Sequence, residues 1–161
     1  MAGAHVGLEL DNGPAKDAIR QALAELAQPQ RLLRDIGEHQ VNSTRDNFRY
    51  ERSPSGQPWP ALSPRYLAVK EPNPGKILQR SGNLARQIQY QVQGNDLFWG
   101  TDRIYGATHQ FGARRGQFGQ TRRGGPIPWG DIAAREFLGV SDADADEIIE
   151  LVRDHLRRQF S

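Results

Sequence analysis

Six of the ten prolines in this 161-residue chain fall between Ser53 and Gly75, and that cluster limits what the rest can become. Pro54, Pro58, Pro60, Pro64, Pro72 and Pro74 each remove a backbone donor and disfavour helix at the preceding residue. Residues 53–75 are therefore expected to form an extended loop or arm, with one helical turn around Arg65–Lys70 at most. Regular structure must be built on either side. Upstream, Pro29 opens a long helix, expected over 28–52. Its stripe of Leu33, Ile36, Val41 and Phe48 is sparse, with Gly37, Gln40 and Thr44 on the same side. So narrow a seam predicts a helix that packs on one side or offers its other faces to partners. Before it, Val6, Leu8 and Leu10 alternate as a short strand over His5–Leu10. Ala15, Ala18, Ile19, Ala22, Leu23 and Leu26 then recur at helical spacing.

Downstream, Lys76–Leu84 reads as a short helix and turn. Ile88, Tyr90 and Val92 alternate with Gln87, Gln89, Gln91 and Gln93, the signature of a strand with one polar face. Gly94-Asn95-Asp96 is a hairpin signal, and Leu97–Thr101 is the return strand. Ile104–Phe111 is a short helix that Gly112 can cap. A second irregular stretch, 113–128, carries four arginines and four glycines and no acidic residue, which predicts a surface loop or arm. Ile132–Leu138 is read as a final strand, and 142–160 as a helix capped by Ser141 or Asp142. That helix starts acidic and ends basic, matching its dipole at both ends, and buries Ala145, Ile148, Ile149, Val152 and Leu156. The expected class is α+β: one domain over 1–161, with a small antiparallel sheet packed against the long helix and the C-terminal helix.

Composition excludes several functions. The absence of cysteine removes disulfide scaffolds, thiolate zinc sites, iron–sulfur clusters and thiol catalysis. The longest apolar run is about four residues, against the roughly 20 a membrane helix needs, and no secretory leader is expected. The expected compartment is the cytosol, or a particle assembled there. Twenty-one basic against nineteen acidic residues give a net charge of only +2, so composition does not make the chain a nucleic-acid binder. A mean hydropathy of −0.71 and 37% hydrophobic residues predict a thin core whose long segments are ordered by a neighbouring subunit.

Catalytic signatures are missing: there is no GxxxxGK[ST], GxGxxG after a strand, HExxH or GxSxG. His5, His39, His109 and His155 are scattered without metal-ligand spacing. Ser81, Asp102 and His109 form a triad in name only until geometry unites them. Asp142, Asp144 and Asp146 lack the glycine and closing glutamate of a calcium loop and read as an acidic helix start. No enzyme, cofactor or metal is expected. Arg114, Arg115, Arg122 and Arg123 leave three readings open: phosphate tracking, a solvated loop, or a subunit contact. Trp99 lies in a strand pattern and reads as core, whereas Trp59 and Trp129, in Gly/Pro contexts, fit core or interface equally well.

Four segments, in order, resemble the phage virion morphogenesis (tail completion) family. They are Phe48-Arg49 leading into Ser53-Pro54-Ser55-Gly56-Gln57-Pro58-Trp59-Pro60-Ala61-Leu62; Ile77-Leu78-Gln79-Arg80-Ser81-Gly82-Asn83-Leu84; Gly100-Thr101 through Tyr105, Ala107 and His109-Gln110-Phe111-Gly112; and Ile127-Pro128 with Ala134-Arg135-Glu136-Phe137-Leu138-Gly139. The chain departs from the family pattern at Gly106, at Glu136 where proline is usual, and at 129–133, which looks inserted. The resemblance implies a non-enzymatic structural protein of a tailed phage or prophage, located in the virion at the tail or neck and assembled in the host cytoplasm. It implies a homo-oligomeric ring, six-fold in many related proteins, that completes the tail or neck for head–tail joining. Expected partners are further copies of the chain and tail tube, tail terminator or head–tail connector proteins. Trp59, Phe111, Trp129 and Phe137 are the expected anchors, with Arg114, Arg115, Arg122 and Arg123 as arm contacts. The alternative is a DNA-contacting channel or neck module that uses the Arg-rich loop 113–125 without sequence preference.

Overall fold

The computed structural model describes residues 29–71 and 75–159, with isolated positions at 13, 17, 20, 21, 24, 26 and 161. The strand expected over His5–Leu10 lies outside the described residues, as do most positions of the helix expected over 15–26.

Helix α1 (Pro29–Tyr50) is the axis of the fold, with proline in its first turn where no intrahelical donor is needed. Both hairpin strands and the C-terminal helix pack against it. Its buried face is wider than its apolar stripe, because Gln40, Thr44 and Asn47 are buried beside Leu32, Leu33, Ile36, Val41 and Phe48. These buried positions all lie on one side of the helix, as the sparse stripe predicts. Gly37 explains how the hairpin comes so close. A Cβ there would stand 2.5 Å from the Tyr90 ring, so only a bare backbone lets that ring lie on the helix.

The hairpin forms as the glutamine alternation predicts. Strand β1 (Gln89–Gln93) pairs antiparallel with β2 (Asp96–Gly100) through the two-residue turn Gly94-Asn95. Tyr90 faces Trp99 and Val92 faces Leu97 on the packed side, while Gln89, Gln91 and Gln93 stay exposed. With helices on one side of a small two-stranded antiparallel sheet, the class is α+β.

The other elements are short. Helix α2 (Pro64–Leu67) is the single turn expected in the proline-rich stretch, and Ser63 Oγ accepts the Tyr66 N–H at its start. Between Lys76 and Leu84 the expected helix shrinks to α3 (Asn83–Arg86). Ile77 and Leu78 are held in a turn instead, since Glu51 Oε1 accepts the Ile77 N–H at 2.9 Å and Gln79 Nε2 donates to the Phe48 carbonyl at 2.6 Å. Helix α4 (Ile104–Phe111) ends at Gly112 as expected.

Helix α5 (Asp142–Gln159) starts in a reciprocal cap. Ser141 Oγ accepts the Asp144 N–H at 3.0 Å, and Asp144 Oδ2 accepts the Ser141 N–H at 2.8 Å. It crosses α1 over Leu32, Ile36, Ile148 and Val152, and two histidine–carboxylate hydrogen bonds bracket that contact: His39–Asp144 at 2.9 Å and His155–Asp35 at 2.7 Å.

The main core collects Val41, Phe48, Trp59, Leu84, Ile88, Phe137 and Leu138. Phe48 is its centre, edge-on to Trp59 at 5.4 Å and tilted on Phe137 at 5.0 Å between ring centroids. The strand expected over Ile132–Leu138 does not form; only Ile132 makes a bridge, to Ala113. Between Glu136 and Leu138 the backbone groups are taken by side chains. Gln110 Oε1 accepts the N–H groups of Phe137 and Leu138, each at 3.0 Å, and Gln110 Nε2 donates to the Leu138 carbonyl at 3.0 Å. Trp59 Nε1 donates to the Glu136 carbonyl at 2.7 Å, and Asn47 Nδ2 to the Phe137 carbonyl at 3.1 Å. The Arg135 N–H goes to the His109 carbonyl at 2.7 Å. Buried backbone polar groups must find partners, and here three separate elements supply them.

Candidate assembly surface

The first proline-rich segment is not free of the body. Its start folds back on itself, with Ser53 N–H donating to the Gln57 carbonyl at 2.8 Å and Trp59 N–H to the Glu51 carbonyl at 2.8 Å. Arg135 then clips its middle: Nε donates to the Pro60 carbonyl at 2.9 Å and an Nη to the Ala61 carbonyl at 3.0 Å. Arg135 is buried, and among the described residues no carboxylate pairs with it. Burial lowers its pKa, yet a guanidinium keeps its proton throughout the ordinary pH range, so a fixed cation sits under the loop. Gly139 closes the arrangement, since a Cβ there would meet Pro54 Cγ at 2.6 Å. Of the motif residues that carry the family resemblance, Pro54, Trp59, Pro60, Ala61 and Gln110 thus meet at the segment 135–139.

The anchors divide accordingly. Trp59, 5% exposed, and Phe137, fully buried, belong to the chain's own core, so their rings are not displayed on the monomer surface. Phe111 and Trp129 remain outside, 61% and 76% exposed. Trp129 and Trp59 both follow a proline, but only Trp59 has a carbonyl and an aromatic ring waiting for it. Phe118 and Ile127 are exposed too, at 54% and 37%. Their Gly- and Arg-rich surroundings have no periodicity that would have marked these two as a patch.

The patch is carried by residues 112–132, which are not an extended arm but an irregular hairpin. Gly112 starts it at φ 74°, where a Cβ would lie 2.6 Å from the Ile132 carbonyl oxygen. Ala113 and Ile132 exchange two backbone hydrogen bonds of 2.9 and 2.7 Å at the base. Gly116 donates to Pro128, Phe118 to Ile127, Ile127 to Gly119 and Thr121 to Gly125 further out, and the Ile127–Pro128 peptide is cis. Asp131 Oδ1 accepts the Arg115 N–H at 2.8 Å. Trp129 lies across Gly125, where a Cβ would touch its ring at 3.3 Å. Arg114, Arg115, Arg122 and Arg123 all project outward, and none has an ion-pair partner among the described residues.

The triad named from the sequence does not assemble. Ser81, Asp102 and His109 make no hydrogen bonds to one another among the described residues. Burial and the nearby Arg135 charge lower the pKa of His109, and its Nδ1 lacks a partner. Among the described residues no group of His, Cys, Asp or Glu could hold a metal ion, and Asp144, from the acidic triplet, is held by Ser141 and His39. No described helix is long and apolar enough to cross a membrane. Geometrically, the molecule presents a lobe of aromatic rings and unpaired guanidinium groups on a base stitched into the core. Exposed rings with arginine are the composition of interface hot spots.

Comparison with known proteins agrees with the motifs. The phage virion morphogenesis family matches residues 10–157. Protein G of Escherichia phage Mu, named as a candidate capsid assembly protein, is 30% identical over 155 residues, covering 91% of this chain and 94% of that protein. The Mu-like prophage FluMu G protein 2 of Haemophilus influenzae is 28% identical over 156 residues, covering 94% and 96%. No solved structure matches. The match over nearly the whole chain places the protein in the phage virion morphogenesis family.

Proposed function

We propose that this chain is a structural subunit that completes the tail or neck of a tailed phage or prophage for head–tail joining, associating with copies of itself as a ring. Family membership gives a structural role in phage assembly. The observation that carries the finer reading is the lobe 112–132, in which Trp129 and Phe118 stay exposed, together with four arginines that have no ion-pair partner among the described residues, on a hydrogen-bonded base. A solvated loop has no use for a tryptophan 76% exposed, whereas a docking surface does. The work is binding: the lobe docks on neighbouring copies or on tail tube, tail terminator or head–tail connector proteins. Electron microscopy of particles made without the protein tests this. Filled heads beside unjoined tails are the expected picture, and normal joined virions would refute it.

The second reading, contact with DNA in a channel, rests on the absence of any acidic residue from 113–128. It predicts binding to duplex DNA with a steep salt dependence that is lost when the four arginines are replaced. Binding that is absent at low salt removes it.

A further inference from the structure

The lobe cannot be its own partner. A two-fold contact sets the same patch on both copies face to face, and here that would oppose arginine to arginine. Against four arginines the lobe holds a single carboxylate, Asp131, which already accepts the Arg115 N–H, so a complementary acidic surface lies elsewhere. The same chain carries its counterpart. Residues 142–150 hold five carboxylates and no lysine or arginine. Asp144 is spent on Ser141 and His39, and Glu150 pairs with Arg153. Asp142, Asp146 and Glu147 are exposed and have no ion-pair partner among the described residues. The lobe arginines do not reach these carboxylates within one molecule, so both surfaces remain free.

We propose that the arginine–tryptophan lobe of one copy docks on the acidic first turns of α5 of the next copy. This rests on the self-association reading above and supplies its contact. Because two different surfaces meet, the association is head-to-tail and either closes into a ring or grows as a filament. The guanidinium groups set orientation and encounter rate, and Trp129 and Phe118 supply the apolar centre.

Charge reversal in two complementary variants tests the contact. R122E/R123E cancels the positive charge of 113–128 and sets two carboxylates of the lobe against the acidic start of α5. D146K/E147K cancels most of the negative charge of 142–150 and sets two ammonium groups of α5 against the lobe arginines. All four positions are exposed, and residues 146 and 147 lie past the first turn of α5, so neither change removes a cap or enters the core. Sedimentation velocity and mass photometry read the oligomers. Wild type associates, each variant alone weakens association by on the order of 100-fold, and a mixture of the two restores it in one-to-one stoichiometry. Variant oligomers as stable as wild type overturn the contact while leaving self-association standing. Loss in both variants without rescue by mixing overturns it as well. A wild-type chain that stays monomeric at high concentration overturns self-association itself. Loss of duplex DNA binding in R122E/R123E with oligomers intact assigns the patch to nucleic acid and also overturns the proposal.

Discussion

Replacing Gln110 with leucine tests the claim that one amide takes the place of a strand partner. The side chain satisfies three backbone groups, the N–H groups of Phe137 and Leu138 and the carbonyl of Leu138, and it is itself 3% exposed. Leucine has similar bulk and no polar atoms. The variant therefore leaves two donors and one acceptor buried, each costing about 1–3 kcal/mol. Because the two donors share a single oxygen and leucine gains some apolar burial, the net loss is about 3 kcal/mol. A domain of this kind has only ~5–15 kcal/mol in total. With a urea m-value of about 2 kcal/mol/M, the midpoint falls by about 1.5 M. Urea unfolding followed in parallel by far-UV circular dichroism and tryptophan fluorescence measures it, with Gln91→Leu on the exposed strand face as the control, within about 0.5 kcal/mol of wild type. A loss below about 1 kcal/mol at unchanged m would show that the segment 135–138 is held by apolar packing alone, and the argument from its hydrogen bonds would fail.

Other perturbations separate core from surface. Gly37→Ala, whose Cβ would stand 2.5 Å from the Tyr90 ring, lifts the hairpin off α1 and costs about 1–3 kcal/mol in a thermal melt; an unchanged Tm contradicts the close approach. Trp129→Ala leaves monomer stability within about 0.5 kcal/mol but weakens self-association, whereas Trp59→Ala costs about 3–5 kcal/mol, and both are read by urea titration beside sedimentation. Thr44→Val removes a buried hydroxyl that has no partner among the described residues, and raises stability by about 1 kcal/mol in the same titration. Burial pushes the Asp144 carboxyl up, but hydrogen bonds from Ser141, Ser43 and His39 outweigh it and hold the group below its usual 3.8. A depressed pKa contributes stability above the unfolded value, and that stability disappears as pH falls through the folded one. The stability gap between wild type and Asp144→Asn should therefore narrow on acidification below about pH 4, and a constant gap refutes the assignment.

What could be read from the sequence was what its neighbours in the chain determine. The hairpin was visible because Gln87–Gln93 alternates and Gly94-Asn95 supplies the turn, both properties of adjacent residues. The start of α5 was visible for the same reason, since Ser141 and Asp144 cap each other three residues apart. The path of 132–138 was not visible. Its residues look like strand because they are partly apolar, but their partners are side chains 27 to 90 residues away, at Gln110, Trp59 and Asn47. A buried amide misleads in the same direction: Asn47 is outside the stripe read from the sequence and lies in the packed face of α1. Of the four chosen anchors, the two tryptophans stand in nearly the same local context, Pro58-Trp59 and Pro128-Trp129. Only the Glu136 carbonyl and the Phe48 ring, both remote in sequence, send one inward.

A thin core and the docking lobe proposed above are compatible because of how the motifs are used. With little apolar area to bury, the chain fixes its last irregular segment through amide, indole and guanidinium hydrogen bonds to backbone groups. Those bonds run along residues 135–138, immediately after the base of the lobe at Ala113 and Ile132. Gln110 and Arg135 therefore hold the lobe as well as the core, since one precedes it and the other follows it. A lobe fixed in this way loses less conformational freedom on docking than a free arm would, and more of its contact energy appears as affinity. If so, Gln110→Leu weakens self-association as well as folding. Urea titration of monomers and sedimentation of the fully folded fraction separate the two effects: weakened association in chains that remain folded is the mark of lost preorganisation, and wild-type association in those chains would confine Gln110 to the core.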